Sequence, residues 1–291
     1  MKNSVMTTNK TGWEPENRKH FDDIVDAYDK RRSDYTDELY EDIFRYSAVE
    51  ADKKDQHFQT NKLKALEIGA GTGKATVPFL DAGYNVTAIE IGVNMSAFLQ
   101  DKFKGNMNFS VINSSFEDAV LEDNSYDMIY AASAFHWVDP KIGCPKVFRL
   151  LKRGGTLAIF RFNAIAAAGE KLYEDIQAEW EKHYYNYYIS NDRPVKKTKD
   201  DFLKPSEIYH SFRIENLEDY GFTDITMYFY DDIRTFNADE YIEWLSTMSD
   251  VRGLPKENRT ALFTGIHEVI TRHGGHHHVD HIFQLYMGRK P

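Results

Sequence analysis

The segment Glu67-Ile68-Gly69-Ala70-Gly71-Thr72-Gly73 sets three glycines at alternate positions behind an acidic residue, at the end of the short apolar run Lys64–Ile68. Glycines so spaced let a backbone turn sharply and approach a ligand with no Cβ in the way. A helix opening directly afterwards presents free N–H groups to an anionic group. Glu90 closes the next apolar run, where a nucleoside needs a carboxylate to accept from its ribose hydroxyls. This pattern serves either a dinucleotide or an S-adenosyl compound, and without a ligand it is simply a tight strand-to-helix turn. Lys74 stands where a dinucleotide fingerprint wants a third small residue packed into the helix, which counts against the dinucleotide.

A second constellation is Ala134-Phe135-His136-Trp137-Val138-Asp139, after a fourth apolar run. His136 is the histidine of these central motifs, and its titration range suits proton transfer. It reads as a base or substrate anchor, or else as a hydrogen-bonded residue that orients Trp137. Five more histidines, His273, His276, His277, His278 and His281, lie close together near the C-terminus. Gly274 and Gly275 break the segment and no cysteine or carboxylate cluster accompanies it, so no metal is expected.

The elements that must position these groups alternate regularly. Apolar runs at Lys64–Ile68, Asn85–Ile89, Asn108–Ile112, Tyr126–Ala132 and Thr156–Phe162 predict five strands. Helical spacing falls between them, over Lys74–Ala82, Met95–Phe103 and Pro145–Leu151, and a turn is expected at Gly154–Gly155. Strands alternating with helices imply a parallel sheet covered on both faces, with ligands at the C-terminal strand ends. Ahead of this core, two helices are expected between Phe21 and Tyr46 around a turn at Arg31–Thr36, and Glu50–Lys62 reads as a charged linker. Behind it, Ala164–Tyr188 reads as one long helix, followed by a polar loop to about Pro205. Its Trp180, Tyr184, Tyr185, Tyr187 and Tyr188 are either the inner face of a lid or a face packed on its own domain. Ile225–Ile233 and His281–Met287 read as strands, Ala238–Met248 and Glu257–His273 as helices.

Composition bounds the rest. With 291 residues, 42% hydrophobic and 28% charged, the chain is expected to form one domain with additions. The formal charge of -10 repels phosphate backbones. The one basic cluster, Lys196, Lys197 and Lys199, runs straight into Asp200 and Asp201, so a solvated loop is expected. The single cysteine, Cys144, excludes an internal disulfide and fits a reducing compartment. The first residues lack a signal-peptide pattern and no run is apolar enough to span a bilayer. A cytoplasmic protein acting on a small molecule is expected, with no nucleic-acid or membrane partner, as monomer or homodimer.

Four segments together resemble the class I small-molecule methyltransferases, the trans-aconitate-like or methyltransferase type 11 family. Tyr28-Asp29-Lys30-Arg31-Arg32-Ser33-Asp34-Tyr35 is similar to an N-terminal segment of that family that folds over the cofactor. The loop Glu67–Gly73, with its leading acid, is the second. Ser115-Phe116-Glu117-Asp118 resembles the segment that contacts adenine, and Ala134–Asp139 the floor between transferable methyl and acceptor. Ser33, Ser114 and Arg153 depart from the family's Pro, Gly and Pro.

The resemblance implies a Rossmann-like α/β fold with a mostly parallel seven-stranded sheet and an antiparallel last strand. An N-terminal helical cap and a helical insertion after strand five would accompany it. It divides the chain into a cap and linker (1–60), a core (61–162), a lid insertion (163–215) and C-terminal strands and helices completing the sheet (216–291). It implies binding of S-adenosylmethionine, released as S-adenosylhomocysteine. Glu67, Gly69, Gly71 and Gly73 would shape the methionine pocket, Glu90 hold the ribose, and Ile91, Ser115 and Phe116 hold adenine. Ala131 and Phe135 would lie near the methionine end. Tyr28, Arg32 and Tyr35 would close over the site, with Tyr35, His136 and Trp137 in the substrate pocket and His136 as the catalytic candidate. Arg32 is either a partner for a carboxylate or an exposed helix arginine. The acceptor would be an oxygen, a carbon or a carboxylate. The alternatives are an RNA or protein methyltransferase, disfavoured because Ala131-Ala132-Ser133-Ala134 replaces the Asn/Asp-Pro-Pro-Tyr box, and a non-catalytic cofactor-binding module.

Overall fold

Short β-forming runs punctuated by glycine turns build the sheet. A computed structural model of the chain describes residues 18–54, 62–166, 170–188 and 198–291. Two helices come first, α1 (Val25–Arg31) and α2 (Asp37–Lys54). Strand and helix then alternate through β1 (Lys64–Ile68), α3 (Thr76–Asp81), β2 (Asn85–Glu90), α4 (Val93–Lys102), β3 (Phe109–Asn113), β4 (Tyr126–Ala132), α5 (Pro140–Leu150) and β5 (Leu151–Ala166). After these come α6 (Lys171–Trp180), α7 (Lys199–Phe202), α8 (Pro205–Phe212), β6 (Thr223–Asn237), α9 (Ala238–Leu245), α10 (Ser249–Arg252), α11 (Lys256–Arg272) and β7 (His276–Arg289).

The sheet has seven strands in the order β3-β2-β1-β4-β5-β7-β6. β1 pairs in parallel with β2 and β4, β2 with β3, and β4 with β5. β7 runs the other way. The Gly154 N–H donates to the Lys290 carbonyl (2.7 Å) and the Lys290 N–H to Gly155 (2.9 Å), so the start of β5 meets the end of β7. The expected class of fold is therefore present, with the antiparallel strand inserted between β5 and β6.

The described residues form two units. The first comprises residues 33–165, 199–232 and 281–291, and the segment boundaries fall inside β5, β6 and β7. Its core lies on both sheet faces, as the period of two requires. Leu66, Ile68, Ile129, Ala131, Leu157 and Ile159 join one cluster with α5 and α8; Ala65, Met128, Tyr130, Ala158 and Phe160 join the other with α2 and α3. Each large aliphatic side chain and phenylalanine among them contributes roughly 1.5–3 kcal/mol by burial, and each alanine less.

The second unit comprises residues up to 32, 166–198 and 233–280. Here α11 buries Leu262, Ile266, Val269 and Ile270, a one-sided stripe at helical spacing. α9 buries Tyr241 and Trp244 and starts from a capping box, with Asn237 and Glu240 bonding each other's backbone (2.9 and 3.1 Å).

Several expected boundaries are corrected. α2 continues to Lys54 through the start of the supposed linker, because Glu, Ala and Lys propagate a helix without apolar anchors; residues 55–61 lie outside the described set. Gly154–Gly155 is not a turn before β5 but a bulge within it, where the pairing with β4 slips between Tyr126 and Met128. Ala164–Tyr188 is not one helix. β5 runs on to Ala166, and Asn163 on it bonds Gln284 of β7 (3.0 Å), so sheet pairing overrides the helix preference of alanine. The helix proper begins at Lys171 and passes into a π-helical turn at Glu181–Tyr185. Tyr184 and Tyr188 donate to the Asp250 carboxylate (2.6 Å) and carbonyl (2.7 Å), so the aromatic face packs within its own unit. α8 was not foreseen. His276–Asp280 belong to β7, and among the described residues no histidine, cysteine or carboxylate group has a metal-binding arrangement. Lys196 and Lys197 lie outside the described residues, and Lys199 pairs with Asp231.

Candidate functional site

The loops that follow β1 to β4 lie side by side at the C-terminal strand ends. Gly69 enters the first with φ +69°, and a Cβ there would stand 2.6 Å from that of Ala134, the residue opening the loop after β4. The Gly73 position (φ +76°) is closed off by Leu99 and Phe103 of the α4 region. These two glycines are therefore required by the protein's own packing, and not only by a ligand as the sequence suggests. The Gly69 N–H donates to Ile89 (2.8 Å), and the Gly73 N–H to Ala70 (2.9 Å) closes the turn.

Glu90 ends β2 and is 7% exposed. Its two oxygens accept from the backbone N–H groups of Gly71 and Gly92, each at 2.8 Å. These two bonds fix the direction of the carboxylate at the tip of β2. The Glu90 carbonyl accepts from the Ser114 N–H (3.0 Å) and from Asn113 Nδ2 (2.8 Å), which ties the third loop to the second. Ile91 is half-buried beside it.

Glu67 points to the opposite sheet face from Leu66 and Ile68 and is almost completely buried. One oxygen accepts from Thr76 and from the Tyr130 hydroxyl (3.1 Å), while Oε1 is buried with no partner among the described residues. Burial pushes its pKa up to about 8, only partly offset by those two hydrogen bonds, and the nearby Glu90 adds to the rise. At neutral pH this carboxyl holds its proton.

In the third loop, Ser115 Oγ accepts from the Asp118 N–H (3.1 Å) and donates to its carboxylate (2.6 Å), making a local cap. Phe116 is buried. Lys146 on α5 straps this loop: its ammonium donates to the carbonyls of Phe116 (2.7 Å), Glu117 (3.1 Å) and Ala119 (2.6 Å) and lies 5.1 Å from the Phe116 ring centre. Desolvation lowers the Lys146 pKa.

Behind β4, Ser133 takes φ +50° and its N–H bonds Phe160 (2.7 Å). A one-turn 3₁₀ helix, Phe135–Trp137, follows. Phe135 and Ala131 are core residues; His136 is buried with its ring 5.3 Å from that of half-buried Trp137. Tyr35 reaches Ser133 Oγ through its hydroxyl (2.7 Å) and meets Phe160 edge-on at 4.8 Å.

The structure thus brings together Tyr35, the three glycines, Glu67, Glu90, Ile91, Ser115, Phe116, Ala131, Phe135, His136 and Trp137 within the first unit. Tyr28 and Arg32 belong to the second. There the Arg32 guanidinium donates to the Thr247 carbonyl (2.7 Å) and lies 5.1 Å from the Tyr28 ring and 5.8 Å from that of Phe21. Arg32 is half-buried at the C-terminal end of α1 and so is not an exposed helix arginine. Thr76, Tyr130, Asn113, Ser133 and Lys146 were missed. Of these, only Ser133 carried a signal, as the first polar residue after an apolar strand.

Comparisons with known proteins agree with this geometry. Residues 66–159 match the family model described as a methyltransferase domain. Over 139 residues the chain is 30% identical to an uncharacterized methyltransferase of Mycobacterium bovis, covering 48% of this chain and 50% of that protein. The chain thus spans about half the length of that curated relative. An uncharacterized methyltransferase of Schizosaccharomyces pombe is 25% identical over 252 residues, 85% of each chain. A solved structure named as a type II methyltransferase, from Anaeromyxobacter dehalogenans, shares the fold with a TM-score of 0.54 at 16% identity, covering 89% of this chain and 97% of that one. Among the described residues, no helix is long and apolar enough to cross a membrane.

Proposed function

Because residues 66–159 form a class I S-adenosylmethionine-dependent methyltransferase domain, we propose that the protein transfers a methyl group from S-adenosylmethionine to a small molecule. The observation that carries this reading is the Glu90 carboxylate, buried at the tip of β2 and aimed by the Gly71 and Gly92 N–H groups beside a strand-to-helix glycine turn. When bound, the cofactor supplies a methyl group activated by a sulfonium, and the chain needs only to bind, orient and exclude water.

Each role falls to a named group. Glu90 accepts from the ribose diol. Ile91 presses on the adenine face, and Ser115 and Phe116, held by Lys146, frame its edge. Glu67 and the three glycines shape the end that takes the methionine moiety. Phe135 and Trp137 keep water from the methyl, since alignment behind a leaving group supplies most of the acceleration in such a displacement. His136 is the base where the acceptor must lose a proton, or the anchor that holds it. The acceptor reacts through oxygen, carbon or a carboxylate.

The test is Glu90→Ala. Loss of the charged acceptor should weaken S-adenosylhomocysteine binding about tenfold or more, with the fold retained by circular dichroism. Unchanged affinity would place the ribose elsewhere and remove the basis of the reading.

A further inference from the structure

Arg161 is a cation that has no ion pair with a carboxylate among the described residues. It follows Phe160, the β5 residue paired with Ala132 at the end of β4, and so stands at the C-terminal sheet edge beside the Ser133–Trp137 segment. Its side chain shares a sheet face with the core residue Ile159, under α8. Nη1 donates to the Ser211 carbonyl at the end of that helix (2.7 Å). Nε is shut off from solvent and has no partner among the described residues, and Nη2 makes no hydrogen bond there either. No carboxylate of the described residues lies within ion-pair distance. The charged or titratable groups that act on it are Tyr35 and Glu207, which favour its charge, and Arg213, which opposes it.

A guanidinium has five donors, and one carbonyl answers one of them. Arg161 is half-buried as a residue with its Nε shut off, and taking a cation out of water is costly unless an anion or further acceptors replace the water. Ile159 on the same face is apolar and packs in the core under α8, so a position that only filled space would accept an apolar residue at less cost. Burial lowers the pKa of Arg161 only to about 10, and the group stays charged at neutral pH. Nε and Nη2 form one straight edge of the guanidinium, the edge that pairs two-pronged with a carboxylate or phosphate. That edge is the one left unfilled.

We propose that Arg161 selects the methyl acceptor by pairing with an oxyanion, a carboxylate or a phosphate, carried on the acceptor. The inference rests on the methyltransferase reading of the adjoining loops and adds the chemical class of the substrate. The Ser211 bond holds the guanidinium plane, and Tyr35, bonded to Ser133, is near enough to act on the charge.

The full chain, with S-adenosylmethionine as donor, is to be screened by mass spectrometry for acceptors that gain one methylene. The panel pairs small carboxylic acids and phosphate monoesters with their uncharged amides and alcohols, and S-adenosylhomocysteine affinity is measured by calorimetry in parallel. Turnover is expected on carboxylates or on phosphates, the panel itself telling which, and not on the uncharged partners. Arg161→Met should cut kcat/KM on the best anionic acceptor about 100-fold while cofactor affinity changes less than twofold. Arg161→Lys keeps the charge and the fold without the two-pronged edge, and should fall about tenfold, chiefly in KM. Equal turnover of uncharged acceptors, or full activity of Arg161→Met or Arg161→Lys with cofactor binding intact, overturns the oxyanion assignment alone. Failure of the unaltered protein to bind S-adenosylhomocysteine overturns the methyltransferase reading and this inference with it.

Discussion

Replacing Glu67 with glutamine should change how the stability of the protein depends on pH. The folded carboxyl keeps its proton to about pH 8, while the reference value for an unconstrained chain is 4.5. Between those values the unfolded chain sheds a proton that the folded chain retains, so stability falls as pH rises through the window. Each pH unit removes about 1.4 kcal/mol, so the interval from pH 5.5 to 7.5 removes about 3 kcal/mol. For a chain of this length that corresponds to a melting shift of about 5 °C. Glutamine cannot ionise, and its carbonyl still accepts from Thr76 and Tyr130. Its amide nitrogen replaces the unpartnered Oε1 and lowers stability by a similar amount at every pH. The informative quantity is therefore the difference in slope. Melting curves of both proteins at pH 5.5, 6.5 and 7.5 should converge as the pH rises, because other groups titrate alike in both. Parallel curves would mean that Glu67 is ionised when buried, and the electrostatic account of the β1 tip would be wrong.

Two further outcomes concern the other ends of the fold. His277 is buried edge-on to Tyr241 (4.8 Å), with Nε2 unpartnered among the described residues, and burial followed by His278 depresses its pKa to about 4. The folded chain then resists a proton that the unfolded chain binds near pH 6.5, so this contribution to stability is lost as pH falls below 6.5; between pH 7 and 5 the unfolding free energy in urea should fall by about 2 kcal/mol relative to that of His277→Phe, and an unchanged difference between the two proteins would refute the shift. Lys146→Met removes three hydrogen bonds to loop carbonyls and should cost about 1–3 kcal/mol, with amide exchange accelerated over Ser115–Ala119 and cofactor affinity lowered; unchanged exchange in that loop would show that Lys146 does not hold it.

The sequence made β1 and β4 legible to the residue, because their apolar runs are bounded by turn chemistry and their pairing is parallel and buried on both faces. Glu90 and the glycines were legible for the same reason, since a loop at a strand tip leaves few positions for chemistry. The region after Phe160 was not. Ala164–Ala166 favour a helix in isolation, and only the antiparallel neighbour β7, more than a hundred residues away, makes them strand. β7 itself begins at His276, ahead of the strand expected from His281. α8 left no clear signal in a short amphipathic stretch, and so the Ser211 carbonyl over Arg161 went unseen. Lys146 was invisible because its partners are backbone carbonyls, which any sequence supplies.

The most direct measurement is a calorimetric titration of the purified chain with S-adenosylhomocysteine and, separately, with NAD. Saturable heat with the first and none with the second is the predicted result. Silence with S-adenosylhomocysteine, or binding of NAD in its place, would contradict the assignment of the Gly69–Gly73 turn and Glu90 to an adenosyl cofactor.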